Sequence, residues 1–356
     1  MTDKKLLKAC LQTIDRASRW LENQEENIRE MNDLCSHYKA PYLYAVLGDR
    51  VRARRYADLM AVRYLQSNGD FRTRPDHKGW THLPCSPANR YVYSNGWLIV
   101  GLQKIGAYGI ARKGLDFVRR FQHPDLGGFF SRYIIQSERV DSGRFDTSST
   151  ASAGMALLAC GQIEEAIKAG DFVVRVIESN PEPTRFFFSS WDAEAGLVTD
   201  VFGEEDQNAV FGRKQYCLST ESEASQELVW LMGKPLAFLC RLYDATGEQT
   251  YLNAASDLFS FFHHLDDTKW SNPASCKVMW SGGDLYRQTG DRSVLEVVER
   301  LLHFFVDSQF ESGLWVHTLW YRSPDEQPFA AALDLVQELT AEISDTVYNL
   351  ADHADG

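Results

Sequence analysis

Apolar residues recur at three- and four-residue spacing over most of this chain, and the period-two alternation that marks a half-buried strand is scarce. The spacing predicts a first helix over about Lys4–Asn23, with Leu7, Leu11, Ile14 and Leu21 in its buried stripe. Pairs of stretches follow, in which the first is apolar or small on nearly every side and the second is charged along one face. They are Tyr38–Gly48 then Arg50–Gln66, Tyr93–Gly106 then Ile110–Gln122, Thr147–Gly161 then Gln162–Glu178, Gln226–Gly247 then Glu248–Leu265, and Ser275–Gly290 then Asp291–Phe305. A helix apolar all round is packed on several sides, whereas an amphipathic one faces water, so inner helices should alternate with outer ones. Gly48, Gly106, Gly161, Gly247 and Gly290 close the first stretches, where a left-handed residue stops a helix at little cost. A last helix, about Ala330–Leu350, has no follower; pairing it with the first closes a ring of about six hairpins, with repetition at roughly 50–60 residues per unit. A ring has no natural cut, so a single domain over 1–350 with a tail at 351–356 is expected. An open solenoid would instead leave apolar caps at both ends, which the polar face of the first helix argues against.

Composition narrows the function classes. With 356 residues, 44% of them hydrophobic, the chain can bury a large core. A formal charge of −12 and a pI near 5.3 argue against nucleic acid and anionic membrane surfaces as partners. The opening "MTDKKLLKACLQTIDRASRW" carries charge on every turn, so it reads as neither a signal peptide nor a membrane span, and no later window approaches the roughly 18 apolar residues a span needs. Cys10, Cys35, Cys85, Cys160, Cys217, Cys240 and Cys276 are scattered and never form C-x-x-C, the pattern of reduced thiols in a cytoplasmic protein.

Two motifs carry a resemblance. "QFESGLW" (Gln309–Trp315) fits the Gln-x-x-x-Gly-x-Trp repeat of squalene–hopene-type terpenoid cyclases, and "QHPDLGGFF" (Gln122–Phe130) and "QSNGDF" (Gln66–Phe71) are looser versions. "LYDATGEQTYLNAASDLFSFF" and "LYRQTGDRSVLEVVERLLHFF" resemble the hairpins of six-hairpin glycosidases, unsaturated glucuronyl hydrolases and sugar epimerases. The shared fold of those families implies an all-α (α/α)6 toroid with short β-hairpin-like loops. In the Gln-x-x-x-Gly-x-Trp turn, Gln is expected to cap the outer helix, Gly to permit the turn and the aromatic to pack on the next hairpin. The resemblance also implies a pocket in the cup at the N-terminal ends of the inner helices.

The loops leading into the inner helices therefore hold the candidates. Gly79–Trp97 carries Trp80, His82, Arg90, Tyr91, Tyr93 and Asn95, an aromatic wall with cationic groups that suits a sugar ring; a loop packed by its own aromatics is the alternative. Ser137–Gly154 carries Asp141, Arg144 and Asp146. Asp146 reads as the N-cap of a helix beginning near Ser148, which leaves Asp141 as the acid/base candidate. Its segment resembles a D-S-S-A stretch of the glucuronyl hydrolases, whose catalytic Asp pair has no match here. Lys214–Trp230 carries Tyr216 and Glu221, the latter either a capping-box carboxylate or one projected into the cup. Lys277, entering an otherwise apolar helix with Cys276 and Trp280, needs a counter-charge or an anionic ligand. Asp334, Glu338 and Glu342 recur at four-residue steps on one face of the last helix. Such a row is usually solvated, but on an inner helix it would face the cavity, where paired carboxylates acquire split pKa values. Trp315, His317 and Trp320 precede that helix, with His317 as a proton shuttle.

Neither D-x-D-D, nor Cys/His spacing for zinc, nor a nucleotide-binding glycine motif is present, so no metal or cofactor is expected. The reading is a cofactor-independent acid/base enzyme on a carbohydrate or uronate-like small molecule, of hydrolase, lyase or epimerase type. A cyclase or isomerase of a terpenoid- or polyketide-like intermediate is the alternative, and a non-catalytic binding toroid a third.

Overall fold

The computed structural model describes residues 3–79, 90–200, 216–221 and 228–352. In chain order the helices begin with α1 (Lys4–Asn23), α2 (Glu25–Glu30), α3 (Ala40–Val46), α4 (Arg50–Leu59), α5 (Tyr93–Lys104), α6 (Tyr108–Arg119) and α7 (Thr147–Ala159). They continue with α8 (Ile163–Glu178), α9 (Trp230–Thr246), α10 (Gln249–His264), α11 (Cys276–Thr289), α12 (Arg292–Asp307) and α13 (Phe329–Asp352). Inner helices α3, α5, α7, α9, α11 and α13 each pack on the next, and α13 returns to α3, so the ring is closed. Helices α4, α6, α8, α10 and α12 back their inner partners, and α1 backs α13 while touching α12.

The inner helices are buried almost without interruption, as Ser94–Leu102 of α5 and Leu231–Cys240 of α9 illustrate. The five stop glycines all have positive φ, as expected. The stripe of α1 differs from the expected one. Leu6, Cys10, Thr13, Ala17, Trp20 and Leu21 face inward, while Leu11 is exposed. Small residues on the inner face let α1 approach its neighbours closely, and that requirement overrides the pull of Leu11.

The Gln-Gly turns are the ring's rivets. Gln309 donates to the carbonyls of Gly313 and of Thr13 on α1, so it ties α12 to the next outer helix in addition to closing its own turn. Gln122 does the same with Gly127 and with Glu165 of α8. Gly69, Gly127 and Gly313 have φ between +78° and +95°, and a Cβ on any of them would collide with a backbone carbonyl of the following outer helix. Both the dihedral and the close approach demand glycine. Trp315 donates to the Phe305 carbonyl at 2.8 Å and is buried in this wall.

The segment expected as a loop before α7 is strand. β1 (Phe130–Ile134), β2 (Arg139–Asp146), β4 (Ser190–Asp192) and β5 (Gly196–Leu197) form a sheet in the order β1-β2-β4-β5; β3 (Phe186–Phe188) pairs with β6 (Cys217–Ser219). β2 runs directly into α7, whose N-cap is Asp146 as expected: its carboxylate accepts from the Ser149 amide at 2.8 Å. The alternation of β2 is muted because much of it lies half-exposed on the rim. Among the described residues, no helix is long and apolar enough to cross a membrane. The six described cysteines are free thiols.

Candidate active site

Helix α13 turns its row of acids toward the axis of the ring. Asp334 pairs with Lys39 at 2.7 Å, Glu338 with Lys39 at 3.2 Å, and both Glu338 and Glu342 with Lys277. Lys39 stands at the start of α3 and Lys277 at the start of α11, so three inner helices meet in one ion cluster. Side-chain exposure falls along α13 from 25% at Asp334 to 15% at Glu338 and 0% at Glu342, which places the mouth at the Asp334 end. The more exposed end of this acid row therefore lies toward the N-terminal end of α13, beside the starts of α3 and α11.

The cluster drives the pKa values of its carboxyls apart. Burial opposes ionisation of Glu338, but Lys277 and Lys39 outweigh it and hold its pKa down at about 2. Burial raises Glu342, Lys277 only partly offsets this, and the charge on Glu338 adds to the rise. One oxygen of Glu342 faces Lys277; the other, Oε2, accepts no hydrogen bond from any nitrogen or oxygen. Burial also raises Asp334, opposed by Lys39. Tyr93, half-buried at the start of α5, is raised by burial and feels Lys277, Glu338 and Lys39. Cys276 is buried beside Glu342 and its pKa is pushed well up, first by burial, so it remains a thiol and not a nucleophilic thiolate.

Below the cluster the ring is closed by aromatics. Trp97 of α5 and Trp280 of α11 stack at 5.7 Å between centroids, and Tyr42 of α3 meets Trp97 edge-on at 4.9 Å. Trp280 donates its indole N–H to Asp345 at 3.0 Å, and Tyr42 bonds the same carboxylate. Arg241 of α9 pairs with Asp284 of α11 at 3.0 Å, and Asn349 donates to Asp284 at 2.8 Å, forming a deeper polar layer.

Of the sequence-derived candidates, Lys277, Glu338, Glu342, Tyr93 and Trp280 come together here. His317 lies near Glu338, stacked on Trp320 at 3.8 Å; burial lowers its pKa to about 4, so near neutral pH it is an uncharged ring. Trp320 is itself 41% exposed. Arg90 sits on the rim over Tyr216 (4.8 Å) and Trp230 (4.5 Å), 3.8 Å from Asp146.

Others do not join the cluster. Tyr91 and Asn95 are buried and donate to Asp70 at 2.6 and 3.1 Å, so they hold a loop together instead of facing a ligand. Asp70 also takes Arg72 and Lys78, both at 2.7 Å. Asp141 lies half-exposed on β2 opposite Arg132, and Arg144 opposite Asp192, both on the rim sheet. Glu221 is exposed and paired with Arg185. Trp315 belongs to the outer wall described above. Trp80 and His82 lie outside the described residues. Lys39 and Lys234 were missed; each is a lone lysine in an apolar stretch, the same signal that singled out Lys277.

Among the described residues, no group of three His, Cys, Asp or Glu is arranged to hold a metal ion. Three depressions lined by described residues, of about 420, 500 and 510 Å³, include no member of the cluster.

No family model matches the chain, and no curated protein matches it. Solved structures do resemble it. D-mannose isomerase shares 13% identity at a TM-score of 0.64, over 90% of this chain and 87% of that one. A GH76 α-mannanase of Bacteroides thetaiotaomicron shares 13% at 0.59, over 100% and 98%. A type II terpene cyclase variant from Scytonema, bound to geranylgeranyl dihydroxybenzoate, shares 11% at 0.57, over 97% and 99%. At these identities the likeness speaks for the fold, and together with the closed ring of inner helices it makes this chain an (α/α)6 toroid.

Proposed function

We propose that this protein is an acid/base enzyme that moves protons on a carbohydrate or uronate-like small molecule bound in the cup. The observation that carries this reading is the sharing of Lys277 by Glu338 and Glu342, one held ionised and the other held toward its protonated form. Groups driven apart in this way are matched to opposite tasks, one as base and one as acid. Both carboxyls bond one ammonium, so a proton taken up at one and released at the other stays within a single small group, an arrangement suited to isomerase-, epimerase- or lyase-type proton transfer. In that chemistry Glu338 accepts a proton from the carbon beside a carbonyl, Glu342 donates one to the carbonyl oxygen, and Lys277 stabilises the negative charge that develops between them.

The test is solvent exchange. In deuterated water, wild-type protein should exchange the proton beside the carbonyl of at least one aldose, ketose or uronate, followed by proton NMR. Glu342→Gln and Glu338→Gln should each slow exchange by roughly 10²–10⁴-fold while keeping the helical circular-dichroism signal. Variants that exchange at the wild-type rate, or no exchange across the panel, would overturn the reading.

A second reading rests on the aromatic floor. Trp97, Trp280 and Tyr42 beneath a buried, proton-holding Glu342 resemble the furniture of a cyclisation template, since aromatic faces stabilise cations. Deuterium incorporated from solvent into a cyclised polyprenyl substrate would support it; the lysines in the same cup weigh against it.

A further inference from the structure

Lys234 is a buried amine that the reading above leaves idle. It sits on the fifth position of α9 in the tripeptide Gly233-Lys234-Pro235. A Cβ on Gly233 would strike the Cβ of Lys277, so glycine lets α9 press against α11 at this level. The next residue along the helix, turned by about 100°, then points toward the axis. Its ammonium position is 3.5 Å from the Trp97 ring centroid, 5.1 Å from that of Trp280 and 5.8 Å from that of Tyr93. Among the described residues, Lys234 Nζ has a thioether as its hydrogen-bond partner, Met155 Sδ at 3.9 Å, and no carboxylate within ion-pair distance.

That setting differs from the other two buried lysines of the cup. Lys39 and Lys277 each contact two carboxylates, and their pKa values are raised against the opposing effect of burial. Lys234 goes the other way. Burial lowers it, the neighbouring cations Lys277 on α11 and Arg241 on α9 lower it further, and Glu342 and Glu338 on α13 only partly compensate. Among the described residues, Tyr93 and Trp97 from α5, Met155 from α7 and Trp280 from α11 also surround it and add no negative charge. A desolvated amine next to another cation is how a lysine becomes a nucleophile near neutral pH.

We propose that Lys234 is a nucleophilic amine that forms an imine with the open-chain carbonyl of a small hydroxy-aldehyde or hydroxy-ketone. The nitrogen lone pair forms the carbon–nitrogen bond and the carbonyl oxygen takes up protons. That oxygen then leaves as water, so amine plus carbonyl gives imine plus water with no redox change. Protonated at nitrogen, the imine becomes an iminium, which makes the adjacent carbon–hydrogen bond more acidic than the free carbonyl does. The proposal rests on the reading that the cup binds such a molecule.

Reductive trapping tests it independently of turnover. Wild-type protein is incubated near neutral pH with limiting glycolaldehyde and cyanoborohydride, which delivers hydride to the imine and leaves a hydroxyethyl amine. Peptide mass spectrometry should find at least about tenfold more adduct on Lys234 than on any other lysine, the advantage of a desolvated amine that is uncharged more of the time than a surface lysine. Lys234→Arg, and Lys234→Met should the first fail to fold, should lose this adduct and keep the slow surface labelling. Adduct confined to surface lysines overturns the proposal, on wild-type protein alone. Adduct on Lys234 without proton exchange on any sugar sustains the amine and overturns the carbohydrate reading. Exchange that survives in Lys234→Arg, with Lys234 unlabelled, does the reverse.

Discussion

Two buried carboxylates, Asp70 and Glu342, are both fully shielded from water and both paired with a lysine, yet they are built for opposite ends. Asp70 is saturated. Its oxygens accept from the Phe71 amide, Asn95, Tyr91, Arg72 and Lys78, and although burial opposes it, Lys78 and these hydrogen bonds hold its pKa low. Glu342 has one ammonium for one oxygen, among the described residues no nitrogen or oxygen donor for the other, the weak donor thiol of Cys276 beside it, and a second glutamate sharing its lysine. A saturated buried charge locks a fold, whereas an undersupplied one keeps a proton in play. Asp70 joins the Gln66–Phe71 turn to Lys78 and the start of α5.

The comparison can be broken most severely at Asp70. Asp70→Asn leaves Lys78 buried without its counter-charge and Arg72 with Glu138 alone, and denaturant melts should show a loss of about 3–5 kcal/mol. Glu342→Gln should do the opposite, keeping or raising the melting temperature at pH 7 while proton exchange collapses. The sign follows from its raised folded-state pKa. What Glu342 contributes to stability is present below its unfolded pKa and lost as pH rises through the folded value, so a neutral amide forfeits no charge-dependent stabilisation. Glu338 has the reverse sign. Its folded pKa of about 2 means that its stabilisation is complete above its ordinary value and lost as pH falls through about 2. Glu338→Gln should therefore flatten the acid limb of a melting-temperature profile between those values. The smallest effect belongs to Glu221, whose exposed pair with Arg185 lies apart from both clusters. Glu221→Gln should leave both the melting temperature and proton exchange unchanged; a loss of exchange would reopen its case as a site residue.

Legibility in the sequence followed the range of the interaction. Asp146 was readable as an N-cap because its partner, the Ser149 amide, is three residues away. The Asp334, Glu338 and Glu342 face was readable because helical period alone aligns it. Tyr91 and Asn95 were assigned to a ligand because Asp70, more than twenty residues upstream, gives no local sign that it will claim them. Asp141 was placed in a loop because short strands at a half-wet rim do not alternate cleanly. Lys234 was overlooked although it carries the same mark as Lys277; the difference between them, two carboxylates against none, exists only across helices.

By itself, the chain's pattern determined the alternation of wholly buried and one-faced helices, the glycine stops between them and the acidic face of the last helix. These are local properties, set by helical period, dihedral preference and the burial of apolar area. Only the closed ring decided that α13 lies against α3 and α11, and therefore that Lys39 and Lys277 meet its acids while Lys234 meets tryptophan. Charge pairing in a low-dielectric interior acts over a few ångströms between residues 61 positions apart, as Lys277 and Glu338 are, or 295, as Lys39 and Asp334 are, and no periodicity along the chain encodes that distance.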